Sequence, residues 1–177
     1  GRKMIIIIGA GLSGLLTGYL LKKEGIPFKI LEARNRVGGR INTVYATNNT
    51  PIEMGATWFT DQHMHLIGLL EELEIGYFEQ HIDPTVFYQP SSNSPIQSVQ
   101  IPTQSPSYRV SGGTSNLINT LFQKLDKKDV LLNQSVKQIK ILKNSSISGY
   151  HSCLGPMTFK YRGFLNKTPR TKLLVRL

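Results

Sequence analysis

The hydrophobic pattern changes period twice within the first thirty residues. Residues 4–8 form a short, wholly apolar and mostly β-branched run, typical of a strand buried on both faces of a parallel sheet. The apolar side chains that follow recur at the spacing of one helix face: Leu12, Leu15, Leu16, Tyr19 and Leu20. Gly25 and Pro27 favour the end of this helix, and Phe28–Leu31 predicts a second strand. The pattern therefore predicts a βαβ unit of a mostly parallel α/β fold.

The later pattern predicts further strands and two more helices. A strand is expected over residues 41–46, and a helix over residues 62–73, where apolar residues again follow helical spacing. Residues 90–107 are rich in Ser, Pro, Gln and Asn and contain no charged residue, which is typical of a long loop or a crossing between layers. The segment SGGTSNLINTLFQKL predicts a helix with a Thr/Ser cap, and residues 129–142 predict one or two strands.

The net charge of +10 is concentrated near the end of the chain. Residues 1–149 contain 15 Lys and Arg against 11 Asp and Glu, whereas residues 150–177 contain six basic residues and no acidic one. Because the body is ordinarily charged, a nucleic-acid partner is not predicted. No membrane partner is predicted either, because no segment is long and apolar enough to span a bilayer. Cys153 alone cannot form an internal disulfide, and glycines interrupt the apolar N-terminal run that would otherwise resemble a secretory signal, so a cytoplasmic location is expected.

A glycine motif follows the first predicted strand directly. Gly9, Gly11 and Gly14 form G-x-G-x-x-G between the strand and the helix, which is the context that a dinucleotide-binding turn requires. Gly9 permits a tight turn, Gly11 lets the backbone approach a pyrophosphate, and Gly14 allows the helix to pack closely on the strand. The helix N-terminus then offers unpaired N–H groups to phosphate oxygens. A glycine-rich turn without a ligand is the alternative.

An acidic residue, Glu32, and a second glycine pair, Gly38 and Gly39, follow this motif. Glu32 ends the second predicted strand, where a carboxylate can accept hydrogen bonds from a ribose diol; a surface glutamate is the alternative. The residues that follow are Arg34, Arg36, Gly38, Gly39 and Arg40. An NAD site needs nothing comparable, whereas two glycines that turn the chain back and an arginine that pairs with phosphate oxygens suit a permanently held FAD. The alternative for Arg36 is a solvated basic turn.

Three blocks of sequence, IIIIGAGLSGLLTGYLL, ILEARNRVGGRINTV and IEMGATWF, resemble the flavin-containing amine oxidase family, which includes monoamine oxidases and L-amino-acid oxidases. The resemblance implies the N-terminal part of an FAD-dependent oxidoreductase that oxidises an amine to an imine, with reoxidation of the flavin by dioxygen. Protoporphyrinogen oxidases and phytoene desaturases are more distant relatives that share these motifs, so an enzyme of that type is an alternative. Another is a non-catalytic dinucleotide-binding module that needs a partner chain.

The resemblance also implies a role for individual residues around FAD. The first glycine motif and Arg40 would bind the pyrophosphate, Glu32 the adenosine ribose, residues 55–58 the ribityl chain and isoalloxazine ring, and Val136 the adenine. The residues expected next to FAD are Gly9, Gly11, Leu12, Ser13, Gly14, Glu32, Ala33, Arg34, Gly39, Arg40, Gly55, Ala56, Thr57, Trp58 and Val136. No catalytic residue and no metal site is assigned.

The expected organisation is an incomplete Rossmann-like FAD/NAD(P)-binding domain with the beginning of a substrate domain. Residues 1–89 are predicted as the FAD-binding core, 90–112 as the Ser/Pro-rich loop or crossing, 113–142 as a helix and strand returning to the FAD domain, and 143–177 as a basic tail without family resemblance. Because members of the family are longer, we expect a truncated chain that is inactive alone. Its full-length form would take a small-molecule amine, and a complementary chain is the expected partner if the missing part is supplied separately.

Overall fold

The computed structural model describes residues 4–102, 105–142, 146–151 and 155–160. The helices are α1 (Leu12–Lys23), α2 (Met64–Glu72) and α3 (Ser115–Lys124). The strands, in chain order, are β1 (Ile5–Ile8), β2 (Phe28–Leu31), β3 (Thr43–Tyr45), β4 (Pro51–Glu53), β5 (Trp58–Thr60), β6 (Tyr77–Glu79), β7 (Thr85–Tyr88), β8 (Gln97–Gln100), β9 (Ser107–Val110), β10 (Val130–Leu131), β11 (Val136–Leu142), β12 (Ser146–His151) and β13 (Gly155–Lys160). Across these ranges, no helix has the length and hydropathy that crossing a bilayer requires.

A three-stranded parallel sheet, in the order β1–β2–β10, positions the candidate site. Ile5 pairs with Phe28 along β1 and β2, and Val130 of β10 pairs with Ile30 on the other side of β2. Strand β2 is largely buried because it has a neighbour on each side and α1 over it. The predicted βαβ unit and the α/β fold class are confirmed.

The remaining sheets are antiparallel. Strands β3 and β4 form a hairpin, β7 and β8 form another, β9 lies between β5 and β6, and β11, β12 and β13 form a meander. The interpretation of residues 90–107 as a loop is wrong at β8, because Gln97–Gln100 pairs with Thr85–Tyr88. Strands β12 and β13 lie in the stretch that was expected to be a tail, and residues 161–177 of that stretch lie outside the described residues.

The hydrophobic core joins the parallel sheet to the helices. Its fully buried large side chains are Leu15, Ile30, Leu70, Leu117, Ile118 and Leu121. Helix α1 approaches β2 at Gly18, where an added Cβ would meet Ile30 Cδ1 at 2.9 Å and Phe28 Cε2 at 3.0 Å. The predicted apolar face of α1 is therefore wrong at Leu20, which is 48% exposed. Apolar residues occur on all sides of α1, so the close approach at Gly18 decides which side faces the sheet.

A surface carboxylate links α1 to α2. Glu72 Oε1 accepts hydrogen bonds from Lys23 Nζ and from the Tyr19 hydroxyl, both at 2.7 Å. The hydrogen bond from Lys23 has the larger effect and that from Tyr19 the smaller, and together they hold the pKa of Glu72 below its ordinary value. The same contact with Glu72 raises the pKa of Lys23. These bonds fix α2 against the helix that begins at the first glycine motif.

Leu15→Ala is expected to lower the free energy of unfolding by about 2–5 kcal/mol, because Leu15 is fully buried and its removal leaves a cavity. Leu20→Ala is the matched change in the same helix and is expected to cost about 0.5 kcal/mol or less. Urea unfolding followed by circular dichroism measures both variants. Equal losses would contradict the assignment of the buried face of α1.

The lowered pKa of Glu72 predicts a contribution to stability that depends on pH. A carboxylate whose folded-state pKa is lowered stabilises the fold above its unfolded pKa, and this contribution is lost as the pH falls through the folded value. The difference in unfolding midpoint between the wild-type chain and Glu72→Gln should therefore be full at about pH 6 and shrink below about pH 4. A difference that stays constant over that range would contradict the role of the carboxylate.

Candidate cofactor site

The first glycine motif forms a tight turn from β1 into α1. Gly9 has a φ of +94°, and its N–H donates to Leu31 O at 2.8 Å, which ties the turn to the end of β2. A Cβ on Gly14 would lie 2.0 Å from Gly9 O, so the helix can start this close to the strand only with glycine at that position. Helix α1 begins after Gly11 without a side-chain cap, which leaves its first N–H groups without an intrahelical partner. This geometry suits an anion at the helix N-terminus.

The second glycine pair packs directly on the first motif. Gly38 N–H donates to Ala10 O at 2.8 Å, and Gly38 forms a parallel bridge with Gly11. A Cβ on Gly39 would lie 3.3 Å from Gly11 Cα. Gly38 and Gly39 have φ values of +103° and +59°, in the left-handed region that favours glycine. The two turns that the sequence places around one pyrophosphate are thus in backbone contact.

The three arginines around this pair differ in their contacts. Arg36 donates to Gly39 O at 3.0 Å and to Val37 O at 3.2 Å, so its guanidinium closes the turn from within. Arg34 reaches Gly39 O only at 3.5 Å. Arg40 is exposed, and its side chain makes no hydrogen bond or ion pair within the described ranges. Arg40 is therefore available to a phosphate, whereas Arg36 has a structural role that the sequence left open.

Glu32 binds both turns from the end of β2. Its Oε2 accepts from Ala10 N–H at 2.7 Å, and its Oε1 accepts from Arg34 N–H at 2.9 Å. The surface alternative for Glu32 is wrong, because this residue is only 8% exposed. Its backbone carbonyl accepts from Gln134 N–H at 2.7 Å, which brings the segment before Val136 to the same place. Each carboxylate oxygen keeps acceptor capacity for a further donor such as a ribose hydroxyl.

Residues 55–58 lie against the backbone of Arg40. A Cβ on Gly55 would lie 1.9 Å from Arg40 O, and Ala56 N–H donates to that carbonyl at 3.4 Å. The Thr57 hydroxyl donates to Gly55 O at 2.9 Å, and Trp58 begins β5 with its side chain 63% exposed. The third sequence block is thus brought to Arg40, directly after the second glycine pair, and it contains an exposed tryptophan.

A cavity of about 340 Å³ lies between residues 35–37, strand β3 and helix α3. Its lining mixes polar side chains such as Asn42 and Asn119 with apolar ones such as Ile118 and Phe122. None of the residues expected next to FAD lines this cavity. The second sequence block nevertheless contributes to the cavity, through residues such as Asn35, Val37 and Asn42, so the cavity adjoins that block without including the residues expected next to FAD.

Glu32→Gln is expected to lower the free energy of unfolding by about 1–3 kcal/mol. A carboxamide can accept from only one of the N–H groups of Ala10 and Arg34, and its NH₂ group then faces the other donor. Glu24→Gln, at the exposed end of α1, is the control and is expected to change the free energy by no more than about 0.5 kcal/mol. Urea unfolding without added nucleotide measures both. An unchanged midpoint for Glu32→Gln would show that the carboxylate does not hold the turns.

Similarity to known proteins includes the start of α1, the second glycine pair and residues 55–58. The sequence pattern of the family described as flavin containing amine oxidoreductase matches residues 12–104. The L-glutamate oxidase precursor of Streptomyces diastatochromogenes is 42% identical over 84 residues, which cover 42% of this chain and 13% of that protein. The all-trans-retinol 13,14-reductase of Macaca fascicularis is 26% identical over 143 residues, 79% of this chain and 22% of that protein. The chain thus spans less than a quarter of the length of either relative.

The fold is similar to that of cyclohexylamine oxidase from Brevibacterium oxydans IH-35A. The TM-score is 0.74 at 14% identity, and the similarity covers 90% of this chain and 57% of that chain. This similarity confirms the expected fold. The match to a flavin-containing family confirms the expected cofactor, FAD. Because the family pattern matches more than half of the 177 residues, the chain belongs to the flavin containing amine oxidoreductase family.

Proposed function

We propose that the described residues hold FAD for an enzyme that oxidises an amine to an imine. The observation that supports this most directly is the contact between the two glycine turns, with Gly38 N–H on Ala10 O at 2.8 Å. Around that contact lie groups that fit FAD: free helix N–H groups, an exposed guanidinium, a buried carboxylate and a turn that ends in an exposed tryptophan. A cofactor phosphate can approach both backbones because Gly11 and Gly39 have no side chains.

In the proposed site, the residues of this chain bind the cofactor and orient it. The N–H groups of Leu12 and Ser13, at the start of α1, donate to the pyrophosphate, and Arg40 pairs with it from the second turn. Glu32 accepts from the ribose while it continues to hold Ala10 N–H and Arg34 N–H. Residues 55–58 lie along the ring, and Val136 lies at the adenine.

When bound, FAD supplies the redox chemistry, taking a hydride equivalent from the α-carbon of the amine and passing electrons to dioxygen to give hydrogen peroxide. We propose that this chain alone does not oxidise an amine. The support for that proposal is coverage, since the chain spans 57% of the cyclohexylamine oxidase chain and smaller fractions of the two curated relatives. The proposed substrate of an enzyme that contains this chain is a small-molecule amine.

A second candidate is another FAD oxidoreductase of the same superfamily, of the protoporphyrinogen oxidase or phytoene desaturase type. The similarity to a protein named as a retinol reductase, over 79% of this chain, favours it. A substrate panel on a longer protein that contains this chain separates the two candidates. Amine-dependent production of hydrogen peroxide supports the first, and its absence with turnover of an amine-free substrate supports the second.

A non-catalytic module completed by a complementary chain is the third candidate. It is favoured by apolar side chains at the edge of the parallel sheet, where Met4 is 53% exposed and Ile5 is 39% exposed. Within the described part of the chain, β1 has a neighbour on one side only, and open apolar edges are sites of pairing with another chain. Copurification of a second chain that protects β1 would support this candidate, and a stable monomer that binds FAD would count against it.

The purified chain is expected to bind FAD, and Arg40→Ala is expected to weaken binding by about tenfold or more through loss of paired hydrogen bonds to phosphate. Arg40→Lys should give a smaller loss, because it keeps the charge but not the planar fork. Titration of the apoprotein with FAD, followed by flavin fluorescence, measures the affinities. Flavin absorbance retained through gel filtration checks them.

Lys127→Ala is the control that also removes one positive charge. Lys127 precedes β10, which runs parallel to β2, so it lies at the opposite end of the strands from the glycine turns and should leave FAD affinity unchanged. A folded chain that rejects FAD would refute the proposed function. Equal losses for Arg40→Ala and Lys127→Ala would refute the role of Arg40.

A further inference from the structure

The start of α3 is held from outside the helix. The Thr/Ser cap expected from the sequence is wrong, because Thr114 makes no side-chain capping hydrogen bond and its buried Oγ1 has no partner among the described residues. The capping groups come instead from the β3–β4 hairpin, 61 and 72 residues earlier in the chain.

Glu53 and Thr43, which pair across this hairpin, supply the cap. Glu53 Oε1 accepts from Thr114 N–H at 2.6 Å, and Glu53 Oε2 accepts from the Thr43 hydroxyl at 2.9 Å. Thr43 Oγ1 accepts from Ser115 N–H at 2.9 Å, and Ser115 Oγ accepts from Thr43 N–H at 2.8 Å. The carboxylate is thus fixed by donors from two segments, at a helix N-terminus where negative charge is favourable.

The hairpin also packs tightly on the glycine turn that precedes α3. Gly113 has a φ of +96°, and a Cβ there would lie 2.5 Å from Thr43 Cγ2 and 3.2 Å from Pro51 Cβ. The Tyr45 hydroxyl donates to Gly112 O at 3.0 Å. The hairpin therefore cannot shift along the start of α3 without breaking these contacts.

Glu53 is separated by one residue from the segment expected along the flavin ring. Met54 N–H donates to Asn42 O at 2.8 Å, and Gly55 then lies directly against Arg40 O. Because the chain spans at most about 3.6 Å per residue, a displacement of Glu53 is passed on to Gly55. The position of residues 55–58 relative to Arg40 thus depends on where the carboxylate is held.

We propose that Glu53 is a positioning residue for the flavin. Its carboxylate, held at the start of α3, fixes residues 55–58 against Arg40 and so sets the place of the isoalloxazine ring. Glu53 acts through Gly55 and Arg40 rather than through contact with the cofactor. This inference rests on the proposed function, since it assumes that residues 55–58 face FAD.

Trp58 is the sole tryptophan of the chain, so its fluorescence reports on this segment directly. In Glu53→Gln the carboxamide keeps an oxygen for Thr114 N–H but turns its NH₂ towards the Thr43 hydroxyl, which then loses its acceptor. We expect this variant to bind FAD about tenfold more weakly and to show altered acrylamide quenching of Trp58, with an unchanged circular dichroism spectrum. Glu71→Gln, at an exposed glutamate of α2, is the control and should change neither property.

Thr43→Val and Thr43→Ser form an independent pair that decides the matter if Glu53→Gln does not fold. Valine removes the hydroxyl at nearly constant shape, whereas serine keeps it. Thr43→Val should therefore reproduce the effects expected for Glu53→Gln, and Thr43→Ser should keep the wild-type quenching of Trp58 and the wild-type FAD affinity.

The outcomes distinguish this inference from the proposed function. A wild-type chain that folds but binds no FAD refutes the proposed function, and the quenching of Trp58 in the same variants still tests whether Glu53 positions residues 55–58. If Glu53→Gln and Thr43→Val lower only the free energy of unfolding, Glu53 is a stabilising residue and the inference is overturned. A loss of FAD affinity without any change at Trp58 overturns it as well, because the effect would not pass through residues 55–58.

Discussion

The backbone contact between Gly11 and the second glycine pair is the constraint on which the candidate site depends. A methyl group on Gly39 would stand 3.3 Å from Gly11 Cα, a tight contact, and the φ of +59° at Gly39 also favours glycine there. Their contact brings together chain segments that leave two neighbouring parallel strands at the same edge of the sheet. The other parts of the site are attached to that contact: Glu32 binds a backbone N–H on each side of it, and Gly55 lies against Arg40.

Several charged side chains in this region form hydrogen bonds with backbone groups of the turns. Turns of this kind expose N–H and C=O groups that regular strands and helices would pair, and buried groups of this type must find partners. Glu32 pairs two of the N–H groups, Arg36 pairs two of the carbonyls, and Glu53 pairs the first N–H of the α3 entry. The charged residues that suggest ligand binding in the sequence therefore have different roles. Glu32 and Arg36 hold the turns, whereas Arg40 faces solvent.

The sequence predicts the parts of this fold that local interactions determine. The βαβ unit follows from a change of hydrophobic period and from glycines whose φ values other residues rarely adopt. Strand β8 could not be predicted, because the uncharged segment QSVQ is exposed throughout and becomes a strand only by pairing with β7. The prediction that Leu20 is on the buried face of α1 is wrong because this helix has apolar residues on all sides. The close contact of Gly18 with β2 determines which side is buried.

Roles that depend on contacts in the folded chain left little signal in the sequence. The structural role of Arg36 appears only in the folded turn, where its guanidinium donates to Val37 O and Gly39 O. Glu53 is a single acidic residue in a short strand, and its partner on α3 lies 61 residues away. The contacts of individual residues with FAD and the domain boundaries remain predictions.

The engagement of Arg36 within its own turn has an electrostatic consequence. The oxygens of Val37 and Gly39 each bear partial negative charge close to where a diphosphate is expected, and unshielded they would repel it. A guanidinium bound to both oxygens offsets their negative charge before any anion arrives. An approaching phosphate would then meet the attraction of Arg40 and of the α1 dipole with less opposition from these carbonyls.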